Sequence, residues 1–150
     1  MRLATSAILG EPLTIHGDGS AARDWIHVED TARGIEAILA APIERVRGEV
    51  FNLGTGVATD VLSIARQVLA LTGRGEELLA PTPERPGQVA LHRADPRKAR
   101  EVLGFAAQRK LADGLADTIA WYRENRAWWE RLRWMRSVPV TGSDGSVSFW

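Results

Sequence analysis

The feature that most constrains the fold is the alternation of short strand-like and helix-like segments, each closed by glycine or proline. "PLTIHG" places Leu13 and Ile15 at a period of two and stops at the glycines of "GDG", which is typical of a short strand. From Val28 to Leu39 the apolar residues then repeat at helical spacing, up to Pro42, which predicts a helix. Such a mixed order indicates an α/β or α+β class.

The same alternation continues to the end of the chain, but the strands are few and short for a complete doubly wound sheet. We therefore expect the chain to be part of a larger fold, with a folded portion at residues 1–136 and a flexible tail at 137–150, where the sequence is small and polar. The remaining predicted elements are a helix ending at Gly10, a strand in "EVFNLGTG", a helix capped by Thr59 or Asp60 and ended by Gly73, a strand in "QVALHRA", a helix between Asp95 and Gly104, and a helix from about Leu111 to about Leu132.

Charge and composition exclude several classes of partner. Lysine plus arginine and aspartate plus glutamate number 19 each, so bulk charge gives no reason to expect nucleic acid or an anionic membrane. There is no cysteine and the three histidines are scattered, so we expect no metal site. No apolar run approaches the length of a membrane span, and the first residues lack the apolar core of a signal peptide. We expect a soluble, cytoplasmic protein.

The chain lacks a self-contained catalytic or dinucleotide-binding pattern. "GDGSAAR" and "GTGVAT" each have two glycines but no third one and no helix start, so both are interpreted as turns rather than as a pyrophosphate loop. Tyr122 is the only tyrosine, and Arg126 rather than lysine follows it four residues later. No nucleophile elbow is present. We therefore assign no catalytic residue.

Two arginines are the best candidates for ligand binding. Arg23 precedes the apolar pair Trp25-Ile26 in a glycine-bounded loop, and Arg85 precedes Pro86-Gly87. A guanidinium held in this way suits bidentate binding of phosphate. The alternative, which the pattern alone favours, is a surface or interdomain salt bridge for each.

Other candidate residues have simpler structural interpretations. Asn52 alternates with Phe51 and Leu53 and could reach a ligand, although a polar sheet face is the default. Glu29 and Asp30 open a helix, and capping accounts for them. His27 is interpreted as a half-buried hydrogen-bonding residue. The tryptophans at helical spacing are interpreted as packing residues; they are Trp121, Trp128, Trp129 and Trp134.

Four segments, in order and spacing, resemble the C-terminal half of the extended short-chain dehydrogenases, the NAD-dependent nucleotide-sugar epimerases and dehydratases. They are "PLTIHGDGSAARDWIHVEDTARGIEAIL", "GEVFNLGTG", "ERPGQVALHRADPRKAREVLGF" and "LADGLADTIAWYREN". The resemblance covers roughly residues 1–130. "RPGQV" and "WYRENRAWWE" are most similar to the 4,6-dehydratase branch. The resemblance implies an α/β fold that is the substrate-binding C-terminal portion, with the N-terminal Rossmann half missing.

The resemblance also assigns roles. It implies that Arg23 contacts the diphosphate of a nucleoside diphosphate sugar and that Arg85 contacts a phosphate or the ribose, with Asn52 and Trp25 as weaker candidates beside the substrate. NAD(P) would be bound by the N-terminal half, which also carries the Ser/Thr-Tyr-Lys chemistry, and not by this chain. Gln88 stands where many members have aspartate, so a ribose contact at that position is not carried over.

Two hypotheses follow. The first is the substrate-binding part of an NAD-dependent nucleotide-sugar epimerase or 4,6-dehydratase, catalytically incomplete alone. The second is a non-catalytic module that binds nucleotide sugars or a protein partner, such as a separate Rossmann half or a second copy. In that case the helix from Val28 to Leu39 would expose an apolar stripe and favour self-association. The nucleotide, the sugar and the choice between epimerisation and dehydration stay open.

Overall fold

The computed structural model describes residues 2–136, 139–142 and 144–149. Two short 3-10 helices, Glu76–Leu78 and Arg133–Arg136, accompany the regular elements. No helix in these residues is long and apolar enough to cross a membrane. The elements are α1 (Arg2–Leu9), β1 (Leu13–His16), β2 (Ala22–Asp24), α2 (Val28–Ala40), α3 (Ile43–Val46), β3 (Ala58–Asp60), α4 (Val61–Thr72), β4 (Leu79–Thr82), β5 (Leu91–His92), α5 (Arg97–Leu103), α6 (Leu111–Glu124), α7 (Arg126–Glu130), β6 (Pro139–Thr141) and β7 (Val147–Phe149).

The strands form three small sheets rather than one large one. β1 pairs with β4 in parallel, with Leu13 opposite Leu79. β2 is the central strand of the order β3-β2-β5, antiparallel to β3 and parallel to β5. β6 and β7 form an antiparallel pair. This mixture of short strands and helices confirms the predicted α/β class.

The core lies between α1, β1, α4 and α6. Its floor is β1, whose Leu13 and Ile15 are 1% and 3% exposed, as the period of two predicted. The helices cover that floor because each carries an apolar stripe at helical spacing. The buried members of the cluster are Ala4, Ala7, Leu13, Ile15, Ile64, Ala65, Val68, Leu69 and Ile119.

The ends of α4 are set by the residues that the sequence indicated. The Asp60 carboxylate accepts a hydrogen bond from the Ser63 backbone N–H at 2.7 Å, which satisfies a donor that the first turn leaves free. Gly73 closes the helix in the left-handed region, with φ 70°, a conformation that residues with a Cβ rarely adopt. Both predicted boundaries are confirmed, and the cap is Asp60 rather than Thr59.

The strand predicted in "EVFNLGTG" is wrong. Residues 49–57 are irregular, and the strand of this region is β3, which begins at Ala58. The alternation of Phe51, Asn52 and Leu53 has no ladder to join, because none of the described strands pairs with it. An alternating pattern forms a strand only where a neighbouring strand accepts its backbone hydrogen bonds.

The long final helix is divided at Asn125. The Asn125 side chain donates to the Trp121 carbonyl at 2.9 Å, and its backbone, with φ −106° and ψ 36°, leaves the helical region. A local side-chain bond of this kind competes with helix propagation. After this break, Trp129 of α7 is buried, and its Nε1 donates to the Tyr122 carbonyl at 2.7 Å.

The segment after residue 136 contains regular structure that its composition did not predict. β6 and β7 pair with Pro139 opposite Phe149 and Thr141 opposite Val147, and Gly145 turns the chain with φ 79°. The division into residues 1–136 and a flexible tail at 137–150 stays a prediction. Residues 137, 138, 143 and 150 of that tail lie outside the described residues.

Candidate functional site

Arg23 lies inside a strand and not in the loop that the sequence suggested. It occupies the middle of β2, opposite Thr59 of β3 on one side and His92 of β5 on the other. Its side chain is half-buried, and Nη1 donates to the Ala22 carbonyl at 2.7 Å. Strand pairing on both sides therefore fixes the backbone from which this guanidinium projects.

Trp25 is anchored in the fold directly after that strand. Its Nε1 donates to the Thr59 carbonyl at 2.9 Å, and its ring packs against the core cluster. The indole N–H is thus used within the protein, as is usual for a partly buried tryptophan. Trp25 therefore ties the end of β2 to β3 and to the core, two residues after Arg23.

Asn52 and Arg85 stand on two different loops. Asn52 is exposed in the irregular segment between α3 and β3. Arg85 is exposed just after β4, where its carbonyl accepts the Gln88 N–H at 3.1 Å and Gly87 has φ 72°. Pro86 and Gly87 therefore lie within a hydrogen-bonded turn. Arg23 belongs to the β3-β2-β5 sheet, whereas Arg85 follows the β1-β4 sheet.

Asp24 brings the Arg23 strand and the Asn52 loop together, and the sequence analysis missed it. Its Oδ1 accepts the Thr55 N–H at 3.0 Å and the Thr55 hydroxyl at 2.6 Å. Its Oδ2 accepts the Gly56 N–H at 2.8 Å and the Ala94 N–H at 3.3 Å. One carboxylate therefore fastens the loop before β3 and the segment after β5 to β2.

The electrostatics of Asp24 agree with this role. Burial raises the pKa of the carboxyl, but the hydrogen bonds from Thr55, Gly56 and Ala94 outweigh it, so the pKa lies below the ordinary value. Gly54 leaves the space for this arrangement. A Cβ there would lie 2.4 Å from the Cβ of Ala94 and 2.8 Å from the carboxylate of Asp24. No local sequence pattern signals this role, because Thr55 and Gly56 lie more than 30 positions along the chain from Asp24.

Asp30 makes a second buried connection. It is 1% exposed, pairs with Arg33, and accepts the backbone N–H groups of Gln108 at 3.0 Å and Arg109 at 2.9 Å. Burial raises its pKa, and these hydrogen bonds more than offset that, so the pKa is lowered. The carboxylate therefore ties α2 to the segment that leads into α6.

Glu29 and Asp30 lie in the first turn of α2, as the sequence indicated, but neither of them is the residue that caps the helix. His27 is the residue that caps α2, because its half-buried Nδ1 accepts the Glu29 N–H at 3.3 Å. That contact confirms the hydrogen-bonding role expected for His27. Glu29 is exposed and pairs instead with the guanidinium of Arg109 at 2.6 Å.

An apolar cleft of about 400 Å³ opens between α1, α4 and α6, beside Trp25 and His27. Its lining includes the apolar residues Leu3, Ile64 and Leu115 and the cations Arg109 and Lys110. The cleft includes Trp25 but not Arg23, Asn52 or Arg85. Neither Arg23 nor Arg85 therefore lines this cleft.

The glycine turns of the described residues do not fit a dinucleotide. Gly17 and Gly19, with φ 60° and 77°, connect β1 to β2, and no helix begins there. The second glycine pair, Gly54 and Gly56, precedes β3, and the Gly56 N–H donates to Asp24. A pyrophosphate site needs a glycine turn that opens a helix after a strand, so we assign no residue of this chain to NAD(P).

The outer face of α2 is apolar and exposed. Val28, Ile35 and Leu39 are 73%, 50% and 81% exposed, and we call these three residues the α2 surface. The opposite face is closed by Asp30 and by Gly34, which lies against Leu53. The helical stripe predicted from the sequence is present, but the described residues do not cover it.

Comparison with known proteins places this arrangement in a family. The sequence profile of the GDP-mannose 4,6 dehydratase family matches residues 1–118. The chain belongs to this family. It is thus a member of the extended short-chain dehydrogenases of the NAD-dependent epimerase/dehydratase type, as the four segments implied.

Relatives of this dehydratase family extend the match to most of the chain. A dTDP-glucose 4,6-dehydratase of Streptomyces niveus is 37% identical over 143 residues, and one of Escherichia coli is 30% identical over 138 residues. The alignments cover 95% and 85% of this chain, but only 41% and 37% of those proteins. The chain therefore spans about two-fifths of the length of these curated relatives.

Solved dehydratase and epimerase structures share the fold. A dTDP-glucose 4,6-dehydratase from Streptomyces venezuelae, solved with NAD bound, superposes with a TM-score of 0.80 at 34% identity, covering 87% of this chain and 39% of that one. A UDP-glucose 4-epimerase from Thermotoga maritima, solved with UDP-glucose, gives a TM-score of 0.75 at 31% identity, over 83% and 38%. These partial coverages agree with the C-terminal portion that the resemblance indicated.

Proposed function

We propose that this chain is the nucleoside diphosphate sugar-binding part of an NAD-dependent nucleotide-sugar epimerase or 4,6-dehydratase, and that it is catalytically incomplete alone. The observation that carries the proposal is the placement of Arg23, held in the central strand of a sheet that Asp24 fastens to the Asn52 loop. Family membership supplies the context, since relatives carry the names of sugar-nucleotide dehydratases.

Each proposed residue has a role that its chemistry can perform. The Arg23 guanidinium would bind the diphosphate through two parallel hydrogen bonds, and Arg85, from the exposed loop after β4, would contact a phosphate or the ribose. Asn52 would offer an amide to the same ligand. Trp25 would keep β2 in place beside the substrate through its bond to Thr59. Such positioning lowers the barrier of a reaction whose chemical groups lie elsewhere.

In the complete enzyme, NAD(P) would supply the hydride acceptor, and we assign its binding to an N-terminal half. A relative solved with NAD bound supports that cofactor for the whole enzyme. The lack of cysteine fits a reducing cytoplasm, where we place the protein.

The proposal is tested by calorimetric titration of the full chain with dTDP-glucose, UDP-glucose and GDP-mannose, and with NAD. We expect one of the sugar nucleotides to bind and its nucleoside monophosphate to bind more weakly, because the monophosphate lacks the second phosphate group. NAD should bind negligibly. Failure of all three sugar nucleotides would contradict the proposal, and a micromolar dissociation constant for NAD would contradict the assignment of the cofactor to another half.

The second candidate function is a non-catalytic module that binds a protein partner. The α2 surface favours it, because three large apolar side chains on one helix face are exposed in the described structure. The partner would be a separate Rossmann half or a second copy of the chain. Light scattering after size exclusion, with the chain alone and mixed with the NAD-binding half of a relative, separates this candidate from the first. Sugar-nucleotide binding without association favours the first candidate. Association without sugar-nucleotide binding favours the second.

A further inference from the structure

The two proposed ligand residues Arg23 and Asn52 come from separate segments, and one side chain sets their relative position. Arg23 is fixed by the ladders of β2, but Asn52 lies in an irregular and exposed segment. That segment is fastened to β2 three residues later, at Thr55, by the carboxylate of Asp24. The backbone between Asn52 and Thr55 is short, so the carboxylate restricts where Asn52 can stand.

We propose that Asp24 is a positioning residue for sugar-nucleotide binding, and that its carboxylate holds the Asn52 loop in register with Arg23. The inference rests on the function proposed above. Successive side chains of a strand point to opposite faces, so the Asp24 carboxylate lies on the other face of β2 from the preceding Arg23. Asp24 therefore acts on the ligand through the position of other residues and not by touching it.

A positioning role and direct charge repulsion predict opposite effects on affinity when the Asp24 charge is removed. A carboxylate beside a site for a diphosphate repels the ligand, so removing its charge should strengthen binding if charge alone mattered. A positioning role predicts weaker binding. The sign of the change in affinity thus separates the two effects.

The hydrogen bonds show why a carboxylate is needed. Oδ1 receives two donors from Thr55, and Oδ2 receives the N–H groups of Gly56 and Ala94. An ionised carboxylate accepts at both oxygens, whereas an amide turns an NH₂ group toward one of these pairs. Either orientation of asparagine places a donor against two donors, which would release the loop or the segment after β5.

The deciding experiment compares Asp24→Asn with Asp60→Asn in the full chain. Asp60 is a matched control because it is an aspartate of the same sheet, opposite Ala22, and its carboxylate caps α4 at Ser63. Calorimetry with dTDP-glucose, UDP-glucose and GDP-mannose gives the affinities, and urea unfolding gives the stability of each variant. We expect Asp24→Asn to weaken binding by about 10-fold or more, as for a lost charge-assisted contact, and Asp60→Asn by less than about 2-fold at a comparable loss of stability.

A second pair of variants covers the case in which Asp24→Asn does not fold. Thr55→Ser keeps the hydroxyl that donates to Asp24 at 2.6 Å, and Thr55→Val removes it at nearly constant volume. Thr55→Ser should bind as the wild type does, and Thr55→Val should bind more weakly.

Equal affinities in this pair, or unchanged or tighter binding by a folded Asp24→Asn, would overturn the positioning role and leave the proposed function standing. A wild-type chain that binds none of the three sugar nucleotides would overturn both.

Discussion

The buried carboxylate of Asp30 accepts a hydrogen bond from the backbone N–H of Arg109 at 2.9 Å, across 79 positions of the chain. The same oxygen accepts the Gln108 N–H at 3.0 Å. Two adjacent donors from the entry to α6 thus depend on one side chain of α2, so a change at Asp30 should loosen the contact between these helices.

We expect Asp30→Asn to lower the free energy of unfolding by about 2–3 kcal/mol, because an amide in this site leaves buried donors without acceptors. Urea denaturation followed by circular dichroism measures the change. Glu29→Gln is the control. Glu29 also contacts Arg109, but from an exposed position. Glu29→Gln should therefore lower the free energy of unfolding by less than about 1 kcal/mol. An equal loss of unfolding free energy in Asp30→Asn and Glu29→Gln would show that the burial of Asp30 does not strengthen its contribution to stability.

The free energy of unfolding should fall in acid. The pKa values of Asp24, Asp30 and Asp60 are all below the ordinary value in the folded protein, so the unfolded chain binds more protons. Their stabilisation is complete above the unfolded pKa of about 3.9 and is lost as the pH falls through the lower folded values. Urea midpoints between pH 7 and pH 2.5 measure this, and Asp30→Asn should show a shallower decline below pH 4. If stability fell as steeply in Asp30→Asn as in the wild type, Asp30 would not contribute to the loss of stability in acid.

Arg23→Ala should weaken the binding of a nucleoside diphosphate sugar by about 2 kcal/mol or more, as for the loss of a charge-assisted pair. Calorimetry on the completed enzyme, or on the chain itself, measures the affinity. Arg66→Ala is a suitable control because Arg66 lies on α4 and pairs with Glu76 at an exposed position. An unchanged affinity in Arg23→Ala would refute the assignment of the diphosphate to this residue.

Leu39→Glu should reduce association through the α2 surface without unfolding the chain. Leu39 is 81% exposed, so its replacement should change the free energy of unfolding by less than about 0.5 kcal/mol. Sedimentation over a range of concentrations, with and without a Rossmann half, reports the association. Val147→Glu, at an exposed position of β7, is the control. Association that persists equally in both variants would place the interface elsewhere.

Local chemistry let the sequence predict the elements that depend on few residues. Asp60 and Gly73 bound α4 as expected, because a cap acts within one turn of its helix. The period of two in β1 succeeded for a similar reason, since one face of this strand lies on the core. The predicted break at Pro42 also holds, because α2 ends at Ala40.

Tertiary partners account for what the sequence could not predict. The pattern around Asn52 is strand-like, but a strand requires a neighbour, and the pattern does not contain that information. Arg23 and Arg85 were recognisable as cations in restricted backbone, yet the pairing of Arg23 with Thr59 and His92 joins segments that are distant in the chain. Asp24 was missed because its acceptors serve donors more than 30 positions away, and composition gives no sign of such a contact.

The parallel pairing of β1 with β4 has a consequence for how the chain acquires its structure during synthesis. His16 and Thr82, at the ends of these strands, are 66 positions apart, so β1 emerges from the ribosome long before its partner exists. Closing a loop of that length costs entropy before the contact returns any stability. The apolar faces of α1 and β1 therefore stay uncovered until α4 and β4 have been synthesised. The nascent chain is most exposed to aggregation during this interval.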